Sequence, residues 1–434
     1  MGVAFQRSFL IFLVLSVLLQ SWSVYADDTN HLLLVQALYR HGDRSPVSTF
    51  PNDPVSESVW PQGLGQLTQK GMQQHYKLGQ YLRQRYIEGQ PYKFLSEAYK
   101  KNEIMINSTD YDRTLMSAYS NLAGFYPPKG DQIWKTELKW QPIPVHTKPL
   151  DMDHVLYMDN YCPTYMKHYA EALNSDVVKK HEAENAEFYS FLEEKSGFPK
   201  VSIENTWMIY DTLFCESQHN HALPDWAAQQ WKNSSLTVMQ KMAANDGLQF
   251  DIKYDHPVQR RLKGGSLLKA VIDNMQMKVT STLTPATMKA FIYSAHDSTV
   301  SAFLSAMQVF NKRLPPYTAC VLVELHAVND IPHVKVLYGN STAGEPYVLS
   351  IPGCAELCPL PKFIELTKES IPDDWVEECG LGSGFPKLSK MHIIIIASIS
   401  AVVLVTIIAT IVGVIYRRKL NSNFTPYFGL NTNT

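Results

Sequence analysis

The feature that restricts this chain most is a run of 23 residues, 393–415, without a single charge. No polar face interrupts it, so it does not read as the half-buried helix of a soluble domain. It is long enough to cross a bilayer with some tilt. Tyr416-Arg417-Arg418-Lys419 follows at once, as a stop-transfer flank does. Lys387 and Lys390 stand on the other side, so charge bias alone does not set the orientation. The other end of the chain does. Arg7, an apolar stretch over 9–19, and small residues at Val24 and Ala26 read as a signal peptide cleaved after Ala26. The expectation is a single-pass type I protein: signal peptide 1–26, lumenal or extracellular body 27–390, transmembrane helix 393–415 and cytoplasmic tail 416–434. An uncleaved signal anchor would need a longer apolar run. A lipid-anchor signal would normally end the chain, and this one continues.

The body carries all six cysteines, at Cys162, Cys215, Cys320, Cys354, Cys358 and Cys379. An even number in an oxidising compartment makes three disulfides the expectation. Spacing alone does not choose the pairs, although Cys354 and Cys358 are near enough to close a small loop. A zinc site would need paired Cys-x-x-Cys or His spacings that this chain lacks. Sequons at Asn107, Asn233 and Asn340 suit a glycosylated body; Asn423 also matches but falls on the cytosolic side. An apolar fraction of 45% and a charged fraction of 18% are ordinary for a globular fold. The net charge of −2 offers nothing to a nucleic acid, so any attraction for anions must be local.

The body alternates strand and helix patterns, which places it in the α/β class. Leu32 to Tyr39 is nearly continuously apolar, as in a strand buried on both faces. A loop rich in Pro and Ser leads to a helix capped by Thr68, with Met72, His75, Tyr76, Gly79, Leu82 and Tyr86 sharing one face. Glu103 to Ile106 and Met288 to Ser294 read as further strands. Each precedes a helix, one carrying Leu115, Ala118, Tyr119 and Leu122, the other Val300, Phe303, Leu304 and Met307. Val321 to His326 and Val334 to Tyr338 form a late antiparallel pair. The stretch from about 160 to 262 shows no clear strand and reads as a helical cap beside the sheet.

Three strand-to-helix junctions carry the polar clusters. Ligands of open α/β sheets bind outside the carboxyl ends of the strands, and helix N-termini there favour anions. The first junction is Arg40-His41-Gly42-Asp43-Arg44. Two planar guanidinium groups match phosphate oxygens, and a neutral imidazole between them can attack phosphorus. The second supplies Arg113, a cation at a helix start, where a cation is disfavoured unless an anion arrives. The third supplies His296 and Asp297: a donor to phosphate and a carboxyl able to protonate a leaving oxygen. Each cluster alone has a plain structural explanation, as a basic loop, a surface ion pair or a helix cap. Asp151-Met152-Asp153-His154 reads as a solvated loop rather than a metal site.

The ordered set resembles the histidine acid phosphatase family, and within it the lysosomal and prostatic acid phosphatases. The matching stretches are Leu38 to Pro46, Gly65-Gln66-Leu67-Thr68 with Gly71, Ser108-Thr109-Asp110 with Asp112 to Ala118, Tyr210-Asp211 with Cys215-Glu216-Ser217, and Ala295 to Thr299. The resemblance implies a three-layer α/β/α sandwich with a smaller helical cap, and an acid phosphatase that hydrolyses phosphate monoesters without cofactor or metal. It implies His41 as the nucleophile that becomes phosphohistidine, Asp297 as proton donor, and Arg40, Arg44, Arg113 and His296 as phosphate ligands. Three arginines supply the charge stabilisation that phosphoryl transfer needs. It further implies the bridges Cys162–Cys379, Cys215–Cys320 and Cys354–Cys358, and a homodimer. One departure stands out: relatives tend to carry Arg before Ser-Thr-Asp, whereas Asn107 here creates a sequon, expected to be too buried for a glycan.

In the tail, Tyr427-Phe428-Gly429-Leu430 is similar to endocytic and lysosomal sorting signals, so an adaptor is a candidate partner. The expected location is lysosome, endosome or plasma membrane. Competing readings are an inositol-phosphate or phytase-like enzyme of the same superfamily, a lipid phosphatase, and a catalytically silent binding ectodomain. A polyanionic substrate would want a more basic pocket, and a silent ectodomain would have lost His41, Arg113 or Asp297.

Overall fold

The computed structural model describes residues 30–89, 91–340 and 344–382, together with 409–410, 412–415 and 417. The expected signal peptide 1–26, most of the apolar run 393–415, and Tyr427 and Leu430 lie outside the described residues. Among the described residues, no helix is long and apolar enough to cross a membrane. Residues beyond 381 form a separate unit.

The body is a mixed α/β fold around one sheet with order β2-β3-β1-β4-β5-β6, β7 pairing beside β5. Strand β1 (His31–Arg40) is central and is followed by β2 (Ile104–Ser108), β3 (Ala290–Ala295), β4 (Cys320–Val328) and β5 (Ile331–Gly339). The short strands β6 (Tyr347–Leu349) and β7 (Leu357–Pro359) carry too few residues for a period to show in the sequence. Strands β1, β2 and β3 run parallel, while β4 and β5 return antiparallel. A register shift lies between Leu32 and Leu34. Beyond it, β1 alternates cleanly: Val35, Ala37 and Tyr39 enter one core, Leu34 and Leu38 the other.

Helices cover both faces. The Tyr39 side packs on α1 (Gln69–Tyr86) and α2 (Asp112–Phe125). Thr68 caps α1 as expected, accepting from the Gly71 amide. The buried face of α1 is centred on Gly71, His75, Leu78, Gly79, Leu82 and Tyr86, one position round from the expected stripe, so Tyr76 is 44% exposed. Tyr119 of α2 is likewise exposed, because Ser117, Asn121 and Gly124 form the tight contact with α1 instead.

Between β2 and β3 the chain is helical: α3 (Pro163–Leu173), α4 (Asp176–Glu184), α5 (Ala186–Ser196), α6 (Thr206–Gln218) and α7 (Val238–Tyr254), short turns aside. These helices have a core of their own, with Phe188, Leu192, Ile209, Leu213, Val238 and Met242, closed by Phe50 from the loop after β1. The opposite sheet face packs on α8 (Gly265–Val279), α9 (Asp297–Ala306) and α10 (Leu360–Thr367).

Two disulfides form, Cys162–Cys379 and Cys354–Cys358. The implied third does not: Cys215 and Cys320 are free, buried thiols. Cys320 opens β4 and packs with Ala37, Leu78 and Leu322 on the α1 face. Cys215 lies on α6 with its Sγ 3.2 Å from the Tyr317 hydroxyl, turned toward Arg44. The two side chains belong to different layers, and burial pushes both thiols up to about 12. Asn233 and Asn340 are exposed, whereas Asn107 is half-buried on edge strand β2, in a cleft shared with His146 and Asn274. Asp153 accepts the Val155 and Leu156 amides, and His154 stacks on Trp375, so this loop is structural.

Candidate active site

The carboxyl ends of β1 and β3 and the first turns of α2 and α9 open into one cavity of about 350 Å³. Arg40, His41, Arg44, Arg113, His296 and Asp297 all line it. Each residue expected at the site from the three junctions is therefore brought to one place.

The loop after β1 is held tightly. Gly42 faces Gly71 at the start of α1, where a Cβ on either residue would lie under 3 Å from backbone. Behind them, Asp43 accepts from Thr68 Oγ1 at 2.5 Å and meets His219 Nε2 at 2.6 Å. His75, fully buried, donates its Nε2–H to the Arg40 carbonyl at 3.1 Å.

His41 is presented as a nucleophile by its hydrogen bond. Its Nδ1 lies 2.8 Å from the Gly42 carbonyl, which can only accept. Nδ1 therefore carries the hydrogen, and Nε2 keeps the lone pair in the neutral ring. Burial, then Arg113, Arg40, Arg44 and His296, hold the imidazole well below its usual range, so it stays neutral in acid.

The three arginines are fixed differently. Arg40 donates to the Pro315 carbonyl at 2.6 Å, pairs with Asp297 at 2.7 Å and lies over the Tyr317 ring at 4.4 Å. Arg44 is clamped by both Asp211 oxygens at 2.9 Å. Arg113 lies over the Tyr111 ring at 4.5 Å, and its Nη2 is 3.5 Å from His296 Nδ1. Every one of the three keeps a buried Nε–H without a partner. Three guanidinium groups line the cavity and only two of them pair with a carboxylate, which suits the place to an anion.

His296 shows a constraint that the sequence did not. A guanidinium can only donate, so Nδ1 accepts from Arg113 and Nε2 donates to Thr109 Oγ1 at 2.9 Å. Burial and then Arg113 bring its pKa down to about 3, which favours the neutral ring. Asp297 also differs from expectation. Burial pushes it up, but Arg40, Arg44, His296 and the Ser298 amide together hold it below the ordinary aspartate value.

Residues with no legible signal complete the cavity. Asp211 and Trp207 come from α6; Asp246, Gln249, Phe250, Lys253 and Tyr254 come from α7. Of these, Asp211 carried a clue in the matched stretch Tyr210-Asp211, and the rest lie in helices with no motif. Among the described residues, no group of three or more His, Cys, Asp or Glu is placed to hold a metal.

A mixed α/β sheet with guanidinium groups and a neutral imidazole at its strand ends defines a phosphate-handling hydrolase. Comparison with known proteins gives the family. The sequence pattern of the histidine phosphatase superfamily (branch 2) matches residues 31–339. The chain is 43% identical over 359 residues to the prostatic acid phosphatase of Homo sapiens, covering 82% of this chain and 89% of that one. It is 38% identical over 393 residues to the lysosomal acid phosphatase of Homo sapiens, covering 89% of each. Among solved structures, the apo phytase of Hafnia alvei superposes with a TM-score of 0.59 at 16% identity, covering 82% of this chain and 99% of that one. That likeness shows the fold alone. The chain belongs to the histidine phosphatase superfamily, branch 2, and is an enzyme of that phosphatase class.

Proposed function

We propose that this protein hydrolyses phosphate monoesters at acid pH through a covalent phosphohistidine on His41. The observation that carries the reading is the set of three guanidinium groups that line one cavity with a histidine whose free lone pair is on Nε2. The names of the relatives, prostatic and lysosomal acid phosphatase, support it.

In this reading the ester's phosphate oxygens engage Arg40, Arg44 and Arg113, with His296 at their side. His41 Nε2 attacks phosphorus while the P–O bond to the leaving group breaks, its electron pair going to the leaving oxygen. Asp297 supplies the proton. In the second half, water attacks the phosphohistidine, gives its proton back to Asp297, and releases inorganic phosphate. The arginines spread charge over the equatorial oxygens throughout.

The same proposal includes a body in the secretory or lysosomal lumen, anchored by 393–415, with Tyr427 and Leu430 as a sorting signal and a second copy as partner. The lysosomal relative and the disulfides support the compartment. The test compares the purified full chain with His41→Ala on 4-nitrophenyl phosphate at about pH 5 with a chelator present. Wild type turns over and retains phosphate on the protein after rapid alkaline quenching, and His41→Ala loses about 10³-fold or more. Equal activity in the two proteins refutes the mechanism.

A further inference from the structure

A leaving alkoxide needs a proton, and the surroundings of Asp297 give it little means of holding one. Its Oδ2 is 2.7 Å from Arg40 Nη2, and its Oδ1 accepts the Ser298 amide at 2.7 Å. Both oxygens face donors, which favours the carboxylate.

The same cavity contains a second carboxyl group in opposite surroundings. Asp246 sits in the middle of α7 and is 6% exposed. Its Oδ1 is buried and has no hydrogen-bond partner. The charged and titratable groups that face it are Asp297 from α9, Asp211 and Tyr210 from α6, Arg40 from β1 and Lys253 from its own helix. Burial first, then Asp297, push it up to about 7, while Lys253 and Arg40 oppose the shift weakly. Of the two aspartates, the one that keeps its proton in acid is Asp246.

We infer that Asp246 holds the proton destined for the leaving group and passes it to Asp297 across the cavity that both line, as the P–O bond breaks. The reading rests on the phosphohistidine reaction above. Phosphate draws Arg40 toward its oxygens, loosening the ion pair with Asp297. Asp246 then gives its proton to the Asp297 carboxylate and becomes a carboxylate itself, and Asp297 hands that proton to the leaving oxygen. Water attack on the phosphohistidine releases one proton, and this returns through Asp297 to Asp246. Bonds, electrons and protons balance over the cycle. Asp246 does not touch phosphorus; it acts through Asp297 and is a positioning residue for the proton.

Leaving-group chemistry separates this role from a structural one. 4-Nitrophenolate departs without help from an acid, whereas the alcohol of glycerol 2-phosphate must be protonated. The full chain and Asp246→Asn are compared on both esters by kcat/KM, which covers the steps through P–O cleavage. Asp246→Asn lowers kcat/KM for glycerol 2-phosphate about tenfold or more and for 4-nitrophenyl phosphate by less than about twofold. In wild type the basic limb of the glycerol 2-phosphate profile falls near pH 7; in the variant it moves to lower pH. Equal losses on both esters, or an unmoved limb, overturn the inference. Asp246→Ser serves the same comparison should the Asn variant not fold. His41→Ala run alongside keeps the two readings apart. Activity that survives in His41→Ala refutes the phosphohistidine, whereas a dead His41→Ala with an unaffected Asp246→Asn refutes only the proton role.

Discussion

The two halves of the cavity are built on different principles. The inner half comes from strand ends and helix first turns, and its side chains are three arginines and two neutral histidines. The outer half comes from α6 and α7, and it offers Asp211, Asp246, Lys253 and several aromatic rings. The inner half is suited to an anion, since three guanidinium groups line it and only two of them pair with a carboxylate. The outer half holds carboxyl groups and one lysine, a poor welcome for further phosphates. The difference teaches that phosphate recognition and leaving-group handling are separable here. One comes from strand ends and helix first turns, the other from the middle of two helices.

The largest effect should come from Arg113→Ala. Arg113 has no carboxylate partner among its contacts, so its loss removes phosphate binding without stranding a charge. Activity should fall about 10²–10³-fold with little change in melting temperature. A large fall in stability would mean that the inner half is structural as well as chemical.

Arg44→Ala should sharpen the contrast. It leaves Asp211 without its clamp at a site where Arg44 and Asp211 side chains are 7% and 13% exposed. Breaking one side of a buried pair costs about 3–5 kcal/mol. The variant should therefore lose activity and stability together, with Asp211→Asn behaving alike. Denaturant unfolding of Arg44→Ala beside Arg113→Ala checks this; equal stability of the two would break the comparison.

A smaller effect concerns pH. Glu216 of α6 is pushed up to about 8 by burial and the neighbouring Asp53 carboxyl. Its folded-state pKa lies above the unfolded value, so its contribution is complete below about 4.5 and is lost as pH rises through about 8. Wild type should melt several degrees higher at pH 5 than at pH 8. Glu216→Gln should flatten that slope by raising the value at pH 8. An unchanged slope would show that other groups control the pH dependence.

The least disruptive test counts thiols. A Cys215–Cys320 bridge would tie the helices to the sheet covalently. Alkylation of the denatured, unreduced chain should instead find two labels, on Cys215 and Cys320. Finding none would restore the bridge that family resemblance implied.

What the sequence could tell was set by locality. Arg40, His41 and Arg44 follow a strand buried on both faces, so consecutive residues had to emerge together at its carboxyl end. Arg113, His296 and Asp297 start helices after parallel strands, and adjacent strands bring their ends to one place. Those elements were legible because their period and their chemistry lie in the same few residues. The helical stretch was legible only as helix. Nothing local says that Asp211 clamps Arg44 across 167 residues, or that Asp246 enters the cavity of Asp297. Nor does spacing say that Cys215 turns to Tyr317 while Cys320 faces the α1 core. Those choices depend on how separate helices pack. Packing joins side chains through shape and burial, which leave no period in the chain, and so only the tertiary structure decided them.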